Sequence, residues 1–367
     1  MTNGQQGEGA SPSPTTALRA AVPGGGKGIE GMRGGPSRIG TFRAVREGLG
    51  RTARAPGLLA LLWIVNLLVA LPLAVTVGQA IQDSVGRSLV ADRLAQGFDT
   101  QWQGELAHQA QGVVKTFAPE IVGAGAFFRN LESWWSGRLF EVEPALLWAG
   151  LGYALLWVLL LGGVLERFAS PARSGGGEEG SDRGLAAFFG AGGRYFFRFL
   201  RLAALSGVLY YGVYRLARAG FHALEEATRD VTAERTVLLW VVLGAALVVA
   251  LLTLVRVVFD YARIALVAQG RRSALGAVWA GLAFVLEHPV RTLGLYWALA
   301  VAGLVLLGVY ALVAPEAGPA SWLGVILAFL LGQAALATRL GLRLATLGGE
   351  TALFASVPAD AAGPPEE

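Results

Sequence analysis

The sequence predicts an all-α, polytopic membrane bundle of six spans, on three observations. Hydrophobic residues make up 54% of the 367 positions and charged ones 15%, with a mean hydropathy of +0.52, a balance too apolar for an ordinary soluble domain. Six apolar stretches each approach the roughly 20 residues that a helix needs to cross hydrocarbon. Basic residues gather at alternate ends of those stretches, where cytoplasmic flanks keep Lys and Arg. The pI of about 9.6 therefore reports topology, and no nucleic-acid partner is expected. Cysteine is absent, which excludes disulfides, thiolate metal sites and a Cys nucleophile.

Along the chain, residues 1–37 are Gly, Ser, Pro and Gln with almost no large apolar side chain. Nothing in them offsets the entropy of ordering a core, so a disordered cytoplasmic tail is expected. Residues 38–355 form the membrane domain, with spans at 57–81, 144–166, 196–216, 236–258, 291–313 and 321–342. Each must be helical, because a lipid-exposed backbone has no other way to satisfy its amides. The first run lies too far into the chain for a cleavable signal and reads as a retained anchor. Residues 356–367 read as a flexible tail.

Orientation follows from Arg and Lys. Arg43, Arg46, Arg51 and Arg54 precede the first span, Arg194, Arg198 and Arg201 cluster at the third, and Arg263, Arg271 and Arg272 follow the fourth. The fifth-to-sixth connection carries Glu316 and no basic residue. Both termini are therefore expected in the cytoplasm. Residues 82–143 become an extracytoplasmic insertion between spans one and two. It is acidic, and its apolar residues, such as Val90, Leu94, Val113, Val114 and Phe117, recur at helical spacing, so short amphipathic helices are expected. Phe127, Phe128, Trp134, Trp135 and Phe140 suit the outer interface.

Sliding the chain against itself aligns Ala44-Val45, Gly48-Leu49, Pro56 and Leu62 with Ala277-Val278, Gly281-Leu282, Pro289 and Leu295 at one constant offset. A weaker third copy matches Ala186 and Gly190, with Arg198 in the proline position. The pattern suggests three copies of one unit, a cytoplasmic amphipathic helix followed by a two-span hairpin. The surface helices are expected at 40–54, 184–195 and 273–287. They would lie in the interface, held by apolar burial and anionic lipid, with Arg43, Arg46, Arg51, Arg54, Arg194, Arg198 and Arg201 as the lipid contacts. Mitochondrial carriers are also triplicated six-span proteins, but their Pro-x-acidic-x-x-basic signature is missing, since Pro72 is followed by Leu73 and Ala74.

Two stretches carry a resemblance: Gly193-Arg194-Tyr195-Phe196-Phe197-Arg198-Phe199-Leu200-Arg201-Leu202, and Phe259-Asp260-Tyr261-Ala262-Arg263-Ile264-Ala265-Leu266-Val267 with Arg271-Arg272-Ser273-Ala274. The chain resembles uncharacterised bacterial six-span membrane proteins, distantly like the membrane domain fused to certain glycerophosphodiester phosphodiesterases. The resemblance covers residues 40–355. It implies a fold and residence in a bacterial inner membrane, with no established activity. The part outside the membrane is too short for a phosphodiesterase barrel of around 250 residues.

Candidate functional residues are few. Asn66 precedes Pro72 in the first span. The amide suits a hydrogen bond to another helix, while the proline frees the carbonyl of Leu68 and kinks the span. At the end of the fourth span Asp260 can pair with Arg256 at i−4 or Arg263 at i+3. The pair is read as an ion pair at a wet interface; a lipid-phosphate site or a gate is the functional alternative. Gly294-Ala298-Ala302 and Gly324-Ala328-Gly332 form small-residue faces suited to the bundle interior or to a homo-oligomer contact. His108, His222 and His288 lack ligand spacing, and the Gly-rich pieces follow no strand, so neither a cofactor nor a metal nor an enzymatic activity is expected. The function expected is a non-enzymatic scaffold or accessory protein that works through lipids or protein partners; the alternative is a transporter or channel for a small neutral or lipidic solute.

Overall fold

A computed structural model describes residues 39–86, 90–97, 99–117, 143–173, 184–231, 233–314 and 321–357, with Met1 and a few single positions between 129 and 136. The expected tail over 1–37 and the aromatic cluster around Trp134 lie outside the described residues. Among the described residues the regular structure is helical: α1 (Thr41–Ala53), α2 (Pro56–Val85), α3 (Ala91–Gln96), α4 (Thr100–Gln109), a 3₁₀ turn (Gly112–Thr116), α5 (Pro144–Arg173), α6 (Leu185–Ala227), α7 (Glu234–Ala268), α8 (Ala274–Glu287), α9 (Pro289–Val313) and α10 (Trp322–Ala355). Six of these, α2, α5, α6, α7, α9 and α10, are long and apolar enough to cross a membrane. The protein is an all-α, multi-pass bundle.

Most spanning helices outrun the hydrocarbon. At roughly 1.5 Å per residue, the 35 residues of α7 and the 34 of α10 reach well past a core about 30 Å thick. The excess of α5, α7 and α10 lies largely at one end of the bundle, which we call basal. There the C-terminal turns of α5, α7 and α10 meet α1, α8 and the first turns of α6. The main core forms at this end, built on side chains such as Leu62, Leu165, Phe199, Tyr261, Leu295 and Leu344.

Where the chain breaks between a basal helix and a span, proline is the cause. Pro56 and Pro289 open α2 and α9 at their first helical position, where a missing N–H costs nothing. The residue before each leaves the helical region, Ala55 at φ −122°, ψ 53° and His288 at φ −132°, ψ 49°, as proline's ring requires of its neighbour. The third expected surface helix, 184–195, is not separate. Arg198 stands where the other two basal segments have Pro56 and Pro289 in the expected alignment and can propagate a helix, so these residues are the opening turns of the 43-residue α6.

Three glycines bring the basal helices onto their neighbours. A Cβ on Gly48 of α1 would run into the Ala345 carbonyl oxygen and lie 2.8 Å from the Gly349 nitrogen on α10. One on Gly281 of α8 would lie 2.6 Å from the Val258 oxygen and 2.7 Å from the Ala262 nitrogen on α7. One on Gly192 of α6 would lie 2.6 Å from the Leu159 oxygen on α5. Each is a helix-to-helix backbone approach that only glycine permits. Gly190, the expected third-copy match, has nothing within 4 Å, and Ala186 is exposed; the contact falls two residues later.

At the far end a smaller cluster of Val90, Trp102, Leu106 and Val114 packs on Ala80, Ile81 and Val85 of α2. Asp99 caps α4 by accepting from the Gln101 and Trp102 amides. The Trp102 indole N–H donates to Ser84 Oγ at 3.0 Å. The amphipathic pattern of this stretch thus yields short helices seated on the end of α2.

Candidate functional site

The ion pair forms as its spacing allows. Arg256 Nε lies 2.7 Å from Asp260 Oδ2 and Arg263 Nη1 lies 2.6 Å from Asp260 Oδ1. Its surroundings differ from the wet interface expected. Asp260 is 1% exposed, because this end of α7 is wrapped by α5, α6, α8, α9 and α10 and nearly every residue from Val257 to Val267 is buried. The carboxylate is a buried double acceptor. The Arg256 side chain is 40% exposed, so one end of the cluster opens outward.

A second polar group lies beside it on α10. Glu350 is fully buried, and neither carboxyl oxygen has a hydrogen-bond partner among the described residues. The Tyr261 hydroxyl and His288 Nδ1 are likewise buried without one. Aromatic contacts hold this group together: Tyr261 to Phe284 at 4.8 Å, Phe284 to His288 at 5.2 Å and Phe284 to Phe354 at 5.0 Å between ring centroids. Polar atoms enclosed in this way are the kind that ordered water bridges.

A third group joins α10, α5 and α2. Arg343 of α10 places its Cζ 3.6 Å from the ring centroid of Trp157 on α5, within cation–π range. It lies within electrostatic reach of Arg256, Asp260, Arg263 and Tyr153. Tyr153 donates from its hydroxyl to Asn66 Oδ1 at 2.9 Å, while Asn66 Nδ2 donates to the Leu62 carbonyl at 2.7 Å. Asn66 therefore joins α2 to α5, the interhelical role expected of it. The Trp63 indole N–H donates to Gln333 Oε1 at 2.9 Å, joining α2 to α10. Helix α2 continues through Pro72 to Val85, and Thr76 Oγ1 donates to the Pro72 carbonyl.

The expected lipid contacts divide. Arg43, Arg46, Arg54, Arg194 and Arg201 are exposed. Arg51 turns inward, with Nε 3.2 Å from Glu47 and Nη1 donating to the Phe168 carbonyl at 3.2 Å, so it ties α1 to α5. Arg198 is half-buried and reaches the Arg271 carbonyl at 3.5 Å. Of the small-residue faces, Gly294 packs on the Thr41 side chain, whereas Ala298, Ala302 and Ala328 are exposed and take no part in the interior.

Sequence reasoning missed Glu350, Tyr261 and Arg343. The signal for Glu350 was the pair Gly348-Gly349 within Leu340, Leu344, Leu347 and Leu353, which mark a buried helix past the membrane. Nothing local pairs Arg343 with Trp157. Chemically, Asp260 has both oxygens engaged and is no free base, while the guanidiniums are donors suited to an oxyanion. Fold and site together define a polytopic helical membrane protein with a charged, largely buried basal centre. No family model, curated protein or solved structure matches the chain.

Proposed function

We propose that the chain is a non-enzymatic scaffold or accessory protein of a bacterial inner membrane that works through anionic lipid, with both termini and the basal end in the cytoplasm. One observation carries this reading: α1 and α8 each bury a single face on the bundle and turn the opposite face outward. On α1 the buried face is Ala44 and Gly48, and the outward one carries Phe42, Leu49, Arg43 and Arg46, with Arg54 at its end. On α8 Leu275, Trp279 and Leu286 point outward. The α1 face, apolar side chains interleaved with Arg, suits the boundary between acyl chains and anionic headgroups, while α8 presents an apolar face with no Arg of its own. The glycine contacts support a reading of the domain as three related units.

The full chain in bilayer discs of mixed anionic and zwitterionic lipid should hold anionic lipid above its bulk fraction. Neutralising Arg43, Arg46 and Arg54 together should reduce that enrichment. A wild-type protein showing no enrichment would sink the reading. Orientation has its own test, since the native chain lacks cysteine: a cysteine at Gln101 should react with an impermeant reagent outside intact cells, and one at Arg271 should not. Transport is the second reading, favoured by polar groups turned into the bundle, Asn66 with Tyr153 and Trp63 with Gln333. Solute uptake by sealed proteoliposomes, abolished on replacing Asn66, would establish it over the first.

A further inference from the structure

We propose that Arg343 and Arg256, with Trp157 as a floor, form a site for one phosphate-type oxyanion, supplied by the headgroup of an anionic lipid. The inference deepens the lipid reading above and rests on it.

Charge balance is the first argument. The Arg343 guanidinium stands within electrostatic reach of those of Arg256 and Arg263, which share the Asp260 carboxylate. Asp260 spends one oxygen on Arg256 and the other on Arg263, so it has nothing left for Arg343. Glu350 does not substitute, because neither of its oxygens meets a donor. Among the described residues Arg343 has an aromatic face beneath it and no acceptor. A guanidinium in that state, at the edge of a water-poor core, calls for a counter-anion, and its planar fork matches two oxygens of a phosphate. The exposed part of Arg256 supplies a second donor from the facing helix.

Register is the second argument. Trp157, Arg256 and Arg343 each lie two residues before the carbonyl oxygen that a basal glycine approaches, those of Leu159, Val258 and Ala345. They therefore hold matching positions on α5, α7 and α10, the returning helices of the three hairpins. Trp157 and Arg343 touch, and Arg343 senses Arg256, so these matching positions converge. In membrane proteins built from internal repeats, ligands bind where the repeats meet. Tyr210, which lies in reach of Arg256, Asp260 and Arg263, adds a hydroxyl from α6.

The surroundings select a lipid as the source of the anion. Farther along α10 from this centre, Leu323, Ile326, Leu327, Phe329 and Leu330 are exposed, and such a wall suits acyl chains while the phosphate sits on the two arginines.

The test uses the full chain purified in neutral detergent and titrated with phosphatidylglycerol, phosphatidylcholine or inorganic phosphate, read by native mass spectrometry and thermal shift. The wild type should retain one phosphatidylglycerol and not phosphatidylcholine. Arg343→Gln should bind it roughly tenfold to hundredfold more weakly, the worth of hydrogen bonds to a charged group, while Arg343→Lys, which keeps the charge and loses the fork, should fall between. The Arg343→Lys arm also serves if Arg343→Gln does not fold. The triple Arg43, Arg46 and Arg54 variant should retain that one lipid. Equal retention by wild type and both Arg343 variants would overturn the site and leave the peripheral lipid reading standing. Stabilisation by inorganic phosphate that depends on Arg343, without phosphatidylglycerol retention, would overturn the lipid source. Loss of the lipid in the triple variant alone would assign it to α1 and sink the central site.

Discussion

Leu353 and Leu330 sit on the same helix, α10, yet one is 1% exposed and the other 56%. The contrast holds for the molecule. At the basal end small residues let backbones meet, and side chains are buried on every face of α7 from Val257 to Ala262. At the far end the same helices turn out Leu238, Leu239, Val301, Leu304 and Leu312. Lipid tails are as apolar as leucine, so nothing drives leucines together inside a bilayer. Helices α7 and α10 are longer than the hydrocarbon is thick, and wherever a helix passes beyond it burial of apolar surface stabilises again. One helix thus obeys two packing rules along its length.

The sharpest way to break this comparison is at the glycines. Gly48→Leu or Gly281→Leu should abolish a monodisperse folded protein, because a side chain there meets backbone atoms that cannot yield. Alanine at either position should cost about 1–3 kcal/mol, the range for overpacking. Gly190→Ala, with open space around it, should cost nothing and gain about 0.5–1 kcal/mol of helix propensity. Size-exclusion profiles and thermal melts in detergent would show the contrast, and equal behaviour of Gly48→Ala and Gly190→Ala would refute it.

Next in size is Asp260→Asn. Removing the charge leaves Arg256 and Arg263 facing each other in a buried site, a loss of roughly 3–5 kcal/mol for a broken buried pair, toward the lower figure because Arg256 is 40% exposed. Abundance in membranes should fall, and Arg263→Gln added to it should restore part of the loss. If Asp260→Asn melts like the wild type, the carboxylate is solvated after all.

Leucine truncation compares the two ends directly. Leu353→Ala should cost about 2–5 kcal/mol, as core truncations do, whereas Leu330→Ala should stay within about 0.5 kcal/mol. A comparable loss at Leu330 would mean that the far end is covered by protein, a second copy being the first suspect for cross-linking. The smallest effect is expected at Glu350. Since its oxygens meet no donor among the described residues, Glu350→Met, which keeps the length and removes both oxygens, should leave stability unchanged or raise it by about 1–2 kcal/mol, within the penalty for an unsatisfied buried group. A lower melting temperature would reveal a water-bridged network holding the carboxyl.

Much of the fold was legible because it follows from solvent and covalent chemistry. Six apolar runs of sufficient length became six helices, and Pro56 and Pro289 placed the helix breaks. Arg198, in the proline position, was the clue that the third basal segment would run on unbroken. The ion pair was legible from spacing and its burial was not. Charges at a helix end read as wet by local rules, whereas their burial depends on α8 and α10, distant in the chain. Likewise residues 343–355 were placed in the membrane domain beyond the sixth span with no role assigned, because hydropathy measures what the membrane needs and is silent about what α1 covers.

The glycine seam between α1 and α10 joins the earliest-made described helix to the latest-made one. Hairpins can enter the bilayer in order of synthesis, but this joint has no partner until Ala345 and Gly349 have been added. Helix α1 must wait undocked through the making of every span, with Phe42 and Arg43 already on its exposed side. Closure of the basal end is therefore a late event, and chains truncated before Ala345 should insert their earlier spans with α1 undocked and open to protease.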